Sequence, residues 1–283
     1  FERISTPMLE DMENLDKSDG GDNLNLIFKV LKRGDKLTAA LNTGDPKQLS
    51  DMGLRYDLTL PLSRFYAANK DKLPHPFKVI QTDRVFRAER PQKGRLREFV
   101  QCDIDILGDE SPNAEVELID VTTRALLGIG FDGFTVNIND RRILRAMLEK
   151  MGFAADQLDS VCISFDKLDK IGPEKVKTIL VEDFAVSEAD ADEILKFIAI
   201  KGSNEEVLTA LEGYTGRNGM FDQGLSELNT VVKYLADFGV PAENFAVDLT
   251  IARGLDYYTG TVYETTLLDH PEIGSVCSGG RYD

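Results

Sequence analysis

The segment Lys78–Leu107, KVIQTDRVFRAERPQKGRLREFVQCDIDIL, limits the possible folds more than any other part of the chain. Its last arm alternates strictly, with Val100, Cys102, Ile104 and Ile106 toward one side and Phe99, Gln101, Asp103 and Asp105 toward the other. Its first arm is β-branched and aromatic. Between the arms lies Arg90–Leu96, with Pro, Gly and four cationic side chains once Arg97 at its edge is counted. That pattern predicts two antiparallel strands joined by a long basic loop. Arg87 and Glu89 fall on one face, two residues apart. Polar alternation usually marks a solvated face of a one-sided sheet. Here Phe99 shares the face and three further segments repeat the habit, so the face also reads as a floor for a ligand.

The first of these segments is Leu54–Leu60, LRYDLTL, with Leu54, Tyr56, Leu58 and Leu60 opposed to Arg55, Asp57 and Thr59. The others are Phe134–Asn139 and Phe245–Ile251, the latter with Phe245, Val247, Leu249 and Ile251 on its apolar side. Together they predict an α+β fold, one antiparallel sheet flanked by helices, with its core on one face and polar groups on the other. The helices expected are Pro61–Asn69, a segment capped by Ser111-Pro112 and running to Leu127, and one capped by Asp140 with Ile143, Leu144, Met147, Leu148 and Met151 as its stripe. From Met151 to about Val240 helical patterns replace polar-faced strands, including Ser187–Ile200 and Asn204–Tyr214. Strands return at Thr261–Leu267 and Ile273–Ser278, and Ser278-Gly279-Gly280-Arg281 opens a turn where backbone can approach a ligand closely. Near the start, ISTPMLE reads as a short strand ending near Pro7 and then a helix. A strand near Asn25–Lys32 and a mobile loop through Gly44-Asp45-Pro46 follow.

Composition narrows the classes of function. A net charge of −16 argues against broad nucleic-acid binding, although cations cluster between Arg84 and Arg97. Three widely spaced cysteines, Cys102, Cys162 and Cys277, argue against a disulfide framework or a zinc site and for a reducing cytosol. With only His75 and His270, an imidazole metal centre or catalytic triad is not expected, and no metal ligands are assigned. No apolar run has the length of a membrane span, and FERISTP does not read as a signal peptide.

FRAE, a loop, and then Arg95-x-x-x-Phe99 resembles motif 2 of the class II aminoacyl-tRNA synthetases. The wider wording FRAERPQKGRLREFVQCDIDILG resembles the histidyl-tRNA synthetases in particular. Arg253–Gly260, RGLDYYTG, and Ser275–Asp283, SVCSGGRYD, resemble that family's two histidine-specific signatures, and LRYDLT at Leu54–Thr59 its amino-group pocket. The resemblance covers Ile4–Asp140 and Phe245–Asp283. It implies a discontinuous catalytic core, residues 1–140 and 241–283, around a helical insertion at 141–240. It also implies a cytoplasmic homodimer formed through the motif 1 region at the start, and the substrates L-histidine, ATP with Mg2+, and tRNA(His). The family's Gly-rich motif 3 should follow RYD, so the chain is expected to be a catalytic fragment that binds histidine without charging tRNA. The alternatives are the synthetase-like regulatory subunit of ATP phosphoribosyltransferase and an acidic α+β interaction module.

The resemblance also implies residue roles. Forming an adenylate brings a carboxylate to the α-phosphate of ATP, so catalysis rests on positioning and on neutralising charge. Planar guanidinium groups suit both oxyanions, and Arg87 and Arg253 are the candidates. For Arg253 an ion pair with a nearby acid such as Asp256 is the structural alternative. For histidine, Asp57 and Thr59 would take the ammonium, and Gln101 would bridge ammonium and carboxylate. Asp105 and Tyr258 would hold the ring, with Tyr257 and Tyr282 lining the pocket. For ATP, Phe99 would stack on adenine, with core packing as its alternative. Glu89 would meet the exocyclic amine and Arg95 the terminal phosphates. Asp103 is assigned no role.

Overall fold

In the computed structural model, residues 1–16, 26–90, 94–153, 157–158, 161, 165, 171–184, 186–216, 218–251 and 258–283 are described. Contacts divide the chain into two compact units, Phe1–Glu110 and Ser111–Asp283.

The first unit begins with β1 (Glu2–Arg3), β2 (Leu9–Asp11), α1 (Met12–Asp16), β3 (Lys29–Leu31) and α2 (Asp35–Thr43). It continues with β4 (Ser50–Leu54), α3 (Thr59–Asn69), β5 (Phe77–Phe86) and β6 (Glu98–Leu107). The expected hairpin is present, with β5 and β6 antiparallel from Phe77 opposite Leu107 to Phe86 opposite Glu98. β1 runs parallel to β5, and β2, β4 and β3 form a second small antiparallel sheet. The hairpin's faces differ from expectation. Val100 is 60% exposed and Cys102 is exposed, whereas Asp105 and Gln81 are buried and Phe99, Gln101 and Asp103 are half-buried. The polar face is therefore the covered one. Polar groups tolerate that because the segment over them supplies hydrogen-bond partners.

That segment is LRYDLTL, which is not a strand beyond Leu54. Arg55, Tyr56, Asp57 and Leu58 are all buried, and α3 begins at Thr59. The side chain of Asp57 accepts the Leu60 backbone N–H, and such local capping competes with strand pairing. Arg55, 0% exposed, donates to the carbonyls of Thr6 and Arg84 and pairs with Asp83 at 2.9 Å. The loop expected around Gly44 follows a helix instead. α2 buries little except Ala40, so it leaves a weak periodic signal. It closes on Gly44 at φ 69, a left-handed cap that glycine adopts without strain.

In the second unit, α4 (Asn113–Gly128) is followed by β7 (Phe134–Asp140), α5 (Arg141–Lys150), α6 (Pro173–Glu182) and α7 (Glu188–Ile198). Then come α8 (Asn204–Glu212), α9 (Gly219–Asp237), β8 (Phe245–Val247), β9 (Thr261–Leu267) and β10 (Ser275–Gly280). The sheet order is β10-β9-β7-β8, antiparallel except for the β7–β8 pair. Among the described residues the strands thus assort into three sheets rather than the single sheet that alternation suggests.

Asp140 caps α5 by accepting the Arg142 N–H, Ser187 caps α7, and Ser203 with Glu206 forms a capping box on α8. Ser111 does not cap α4, whose N-cap is Pro112 without a side-chain bond. β8 stops at Val247 because Asp248 turns the chain, accepting from the N–H and hydroxyl of Thr250, yet Leu249 and Ile251 remain buried as expected. β10 starts two residues later than expected, since Ile273 lies in a 3-10 turn and is exposed. The helices between residues 141 and 240 share one core with the sheet, in which Ile143, Val207 and Phe221 join Phe134, Val136 and Ile138.

Candidate active site

In the first unit the hairpin register sets the floor. Gln101 lies opposite Asp83, Asp103 opposite Gln81, and Asp105 opposite Val79. Buried Gln81 donates its Nε2 to the Leu58 carbonyl at 3.2 Å and accepts the Thr6 hydroxyl at 3.4 Å. This ties residues 57–58 over the polar face at the level of Asp103. Asp57, 3% exposed, has one carboxylate oxygen buried without a partner among the described residues. Burial pushes its carboxyl up to about 7, against the Leu60 N–H, and the negative charge of Asp103 adds to the rise while Arg87 and Arg64 oppose it. Burial likewise raises Asp103, opposed by the Gln101 amide and by Arg87. Gln101 donates Nε2 to both Asp103 oxygens, at 3.3 and 3.4 Å, and its own buried Oε1 has no partner among the described residues.

Arg87 donates Nε to the Tyr56 carbonyl at 3.1 Å, and its guanidinium carbon lies 5.2 Å from the centroid of the Phe99 ring. One aromatic face and one fixed cation therefore stand together, the pairing suited to a flat, electron-rich ring and an oxyanion. Thr59, half-buried, opens α3 beside Asp57. Farther along the loop, Glu89 pairs with the exposed Arg95 at 3.5 Å, and Arg97 donates Nε to the Glu89 carbonyl. Asp105 is buried on the same face as Gln101 and Asp103. The structure thus brings Asp57, Arg87, Gln101 and Phe99 around one polar patch. Its buried acceptors without donors are what a substrate ammonium would satisfy.

In the second unit, Tyr258 and Tyr282 flank the clamp of Arg281. That guanidinium makes a bidentate pair with buried Glu115 on α4, at 2.6 and 2.7 Å, and donates to the Ser111 carbonyl at 3.0 Å. Its backbone exchanges bonds with both neighbours of Gly260, Thr259 N–H to Arg281 O and Arg281 N–H to Thr261 O, each 2.8 Å. A Cβ at Gly280 would lie 2.8 Å from Cγ of Tyr258, so only glycine leaves that ring in place. Arg141 Nη1 donates to the Tyr258 carbonyl. Arg253 and Tyr257 lie outside the described residues. Sequence reasoning missed Gln81, Asp103, Glu115 and Arg281. Gln81 and Asp103 carried a signal as polar residues within apolar strand text and Arg281 stood within SVCSGGRYD, whereas its partner Glu115, 166 residues away, carried none.

The family model for histidyl-tRNA synthetase matches residues 1–283. This chain belongs to the histidyl-tRNA synthetase family. The histidine–tRNA ligase of Clostridium tetani is 40% identical over 285 residues, covering all of this chain and 61% of that protein. That of Rhodopirellula baltica is 41% identical over 283 residues, again covering all of the chain and 61% of the relative. The crystal structure of histidyl-tRNA synthetase from Nostoc sp. PCC 7120 superposes with a TM-score of 0.85 at 35% identity, covering 100% of this chain and 61% of that one. An ATP phosphoribosyltransferase regulatory subunit/histidyl-tRNA synthetase from Bacillus halodurans C shares the fold, with a TM-score of 0.80 at 23% identity, covering 100% of this chain and 67% of that one. The chain thus spans about 61% of the length of these histidine–tRNA ligases. Its fold is the α+β class II synthetase fold of the family. No helix among the described residues is long and apolar enough to cross a membrane.

Proposed function

We propose that this chain carries the histidine-activating chemistry of a histidine–tRNA ligase. The observation that carries the reading is the buried acceptor pair of Asp57 and Gln101 beside Arg87 and Phe99, in a chain matched end to end by this family. The histidine carboxylate attacks the α-phosphorus of ATP, the bond to the bridging oxygen breaks, and pyrophosphate leaves. A ribose hydroxyl of tRNA(His) then attacks the adenylate carbonyl and AMP departs. Mg2+ enters with ATP as part of the substrate.

In this reading Asp57 and Thr59 hold the ammonium, and Gln101 spans ammonium and carboxylate. Arg87 neutralises the carboxylate and α-phosphate. Asp105 holds the imidazole. Phe99, Glu89 and Arg95 serve adenine and the terminal phosphates. Residues 1–140 and 241–283 are the catalytic core and 141–240 its insertion, in a cytosolic homodimer paired through the motif 1 region.

Calorimetric titration with L-histidine tests the pocket, and histidine-dependent ATP–pyrophosphate exchange in the full-length protein tests the chemistry. Micromolar to millimolar histidine binding with exchange is expected. No histidine binding overturns the site. Binding without exchange in the full-length protein would favour a role like that of the regulatory subunit.

A further inference from the structure

Asp103 has no part in the scheme above, yet it sits at its centre. It lies on β6 between Gln101 and Asp105, on the covered face and opposite Gln81. Gln81 holds the Leu58 carbonyl, which brings Asp57 within electrostatic reach of Asp103. An ionised carboxylate only accepts hydrogen bonds, so a neighbouring amide must present its NH2 to it and turn its oxygen away. The Gln101 amide does this, giving Nε2 to Asp103 and leaving Oε1 buried without a partner among the described residues. Asp57, nearly fully buried, leaves one oxygen without a partner as well.

Resting on the histidine-activating reading, we propose that Asp103 is a positioning residue of the amino-group pocket. It orients Gln101 with its oxygen toward the substrate ammonium and adds a further negative charge beside Asp57. The two orphaned acceptors point to the ligand class. They require a group with several N–H donors and a positive charge, and a primary ammonium supplies both.

Asp103→Asn tests this, because an asparagine amide can also donate and so releases the constraint on Gln101. Three probes are titrated calorimetrically into the wild type and the variant. L-histidine carries ammonium, carboxylate and imidazole. Histidinol keeps the ammonium but lacks the carboxylate, and imidazolepropionate keeps the carboxylate but lacks the ammonium. Asp103→Asn is expected to weaken L-histidine and histidinol by about tenfold, the size of one oriented hydrogen bond, and to weaken imidazolepropionate, which meets Gln101 through its carboxylate alone, by clearly less. Retained imidazolepropionate binding also shows that the variant is folded. Equal losses for all three probes would make Asp103 a structural prop, and unchanged histidine binding would make it a bystander. Either result overturns the proposal while leaving the histidine site standing. A wild type that binds no histidine removes the site itself, and the proposal with it.

Discussion

Asp57 holds its carboxyl where a bare carboxylate is unfavourable, and the raised value of about 7 is the consequence. Because the folded-state value exceeds the ordinary 3.8, the folded protein binds this proton more tightly than the unfolded chain. Stability from this group is therefore greatest below about pH 4 and declines as pH rises toward 7, where the carboxyl ionises against Asp103 and burial, helped only by Arg87 and Arg64. Asp57→Asn should raise the melting temperature at pH 8 by several degrees, with the gain vanishing near pH 4, while histidine affinity falls at least tenfold. Thermal melts across pH with parallel calorimetry check both halves. Asp105 yields a second expectation in the proposed site. Asp105→Asn keeps the shape but removes a charge from the ring acceptor, which should weaken histidine by one to two orders of magnitude and leave ATP binding nearly unchanged, the loss expected of a charge-assisted bond of about 1.5–3 kcal/mol. Such roles were legible only in part. Asp57, Gln101 and Asp105 stood out because strand alternation and motif wording agreed on them. Asp103 did not, because its significance lies in a hydrogen bond to its own strand neighbour and in a segment folded over it.

Elements show where local chemistry overruled pattern. LRYDLTL alternates as a strand does, yet Asp57 caps a helix turn and Arg55 threads into the interior to reach Thr6, Arg84 and Asp83. Asp83 is held down to about 2, first by the Ser5 hydroxyl at 2.6 Å and then by Arg55 and the Arg84 N–H. Its folded value lies below the ordinary carboxylate, so its contribution is present above about pH 4 and is lost as pH falls toward 2. Asp83→Ala would leave the Arg55 guanidinium buried without its ion-pair partner and should destabilise the first unit by roughly 3 kcal/mol. Chemical denaturation at pH 7 measures this, and a loss below about 0.5 kcal/mol, the size of a surface pair, would show that Arg55 finds other partners. The hairpin, by contrast, follows its pattern closely. Ten paired positions lie where alternation put them, since register there depends on near neighbours alone, although β5 ends at Phe86, before Arg87 and Glu89 that the pattern placed in the strand.

At the scale of the whole molecule, each unit has apolar clusters of its own, and long-range ion pairs fasten the second, among them Arg142 with Glu227 and Arg281 with Glu115. Glu115 and Arg281 join α4 to the residue after β10. Glu115→Ala should cost about 3 kcal/mol by removing the buried bidentate acceptor of the Arg281 guanidinium. Faster amide exchange should appear in β10 and α4 while β5 and β6 keep their protection, because these strands belong to the other unit. Uniform loss of protection across both units would refute that separation. From sequence alone came the α+β class, the hairpin, the helix cap at Asp140, and the family. These rest on periodicity, capping and motif wording, which are local in the chain. Only the tertiary structure decided that the hairpin's polar face is the covered one, that Arg55 is buried, and that Glu115 grips Arg281. Those outcomes depend on which distant segments supply partners for polar groups removed from water, and no local pattern encodes that choice.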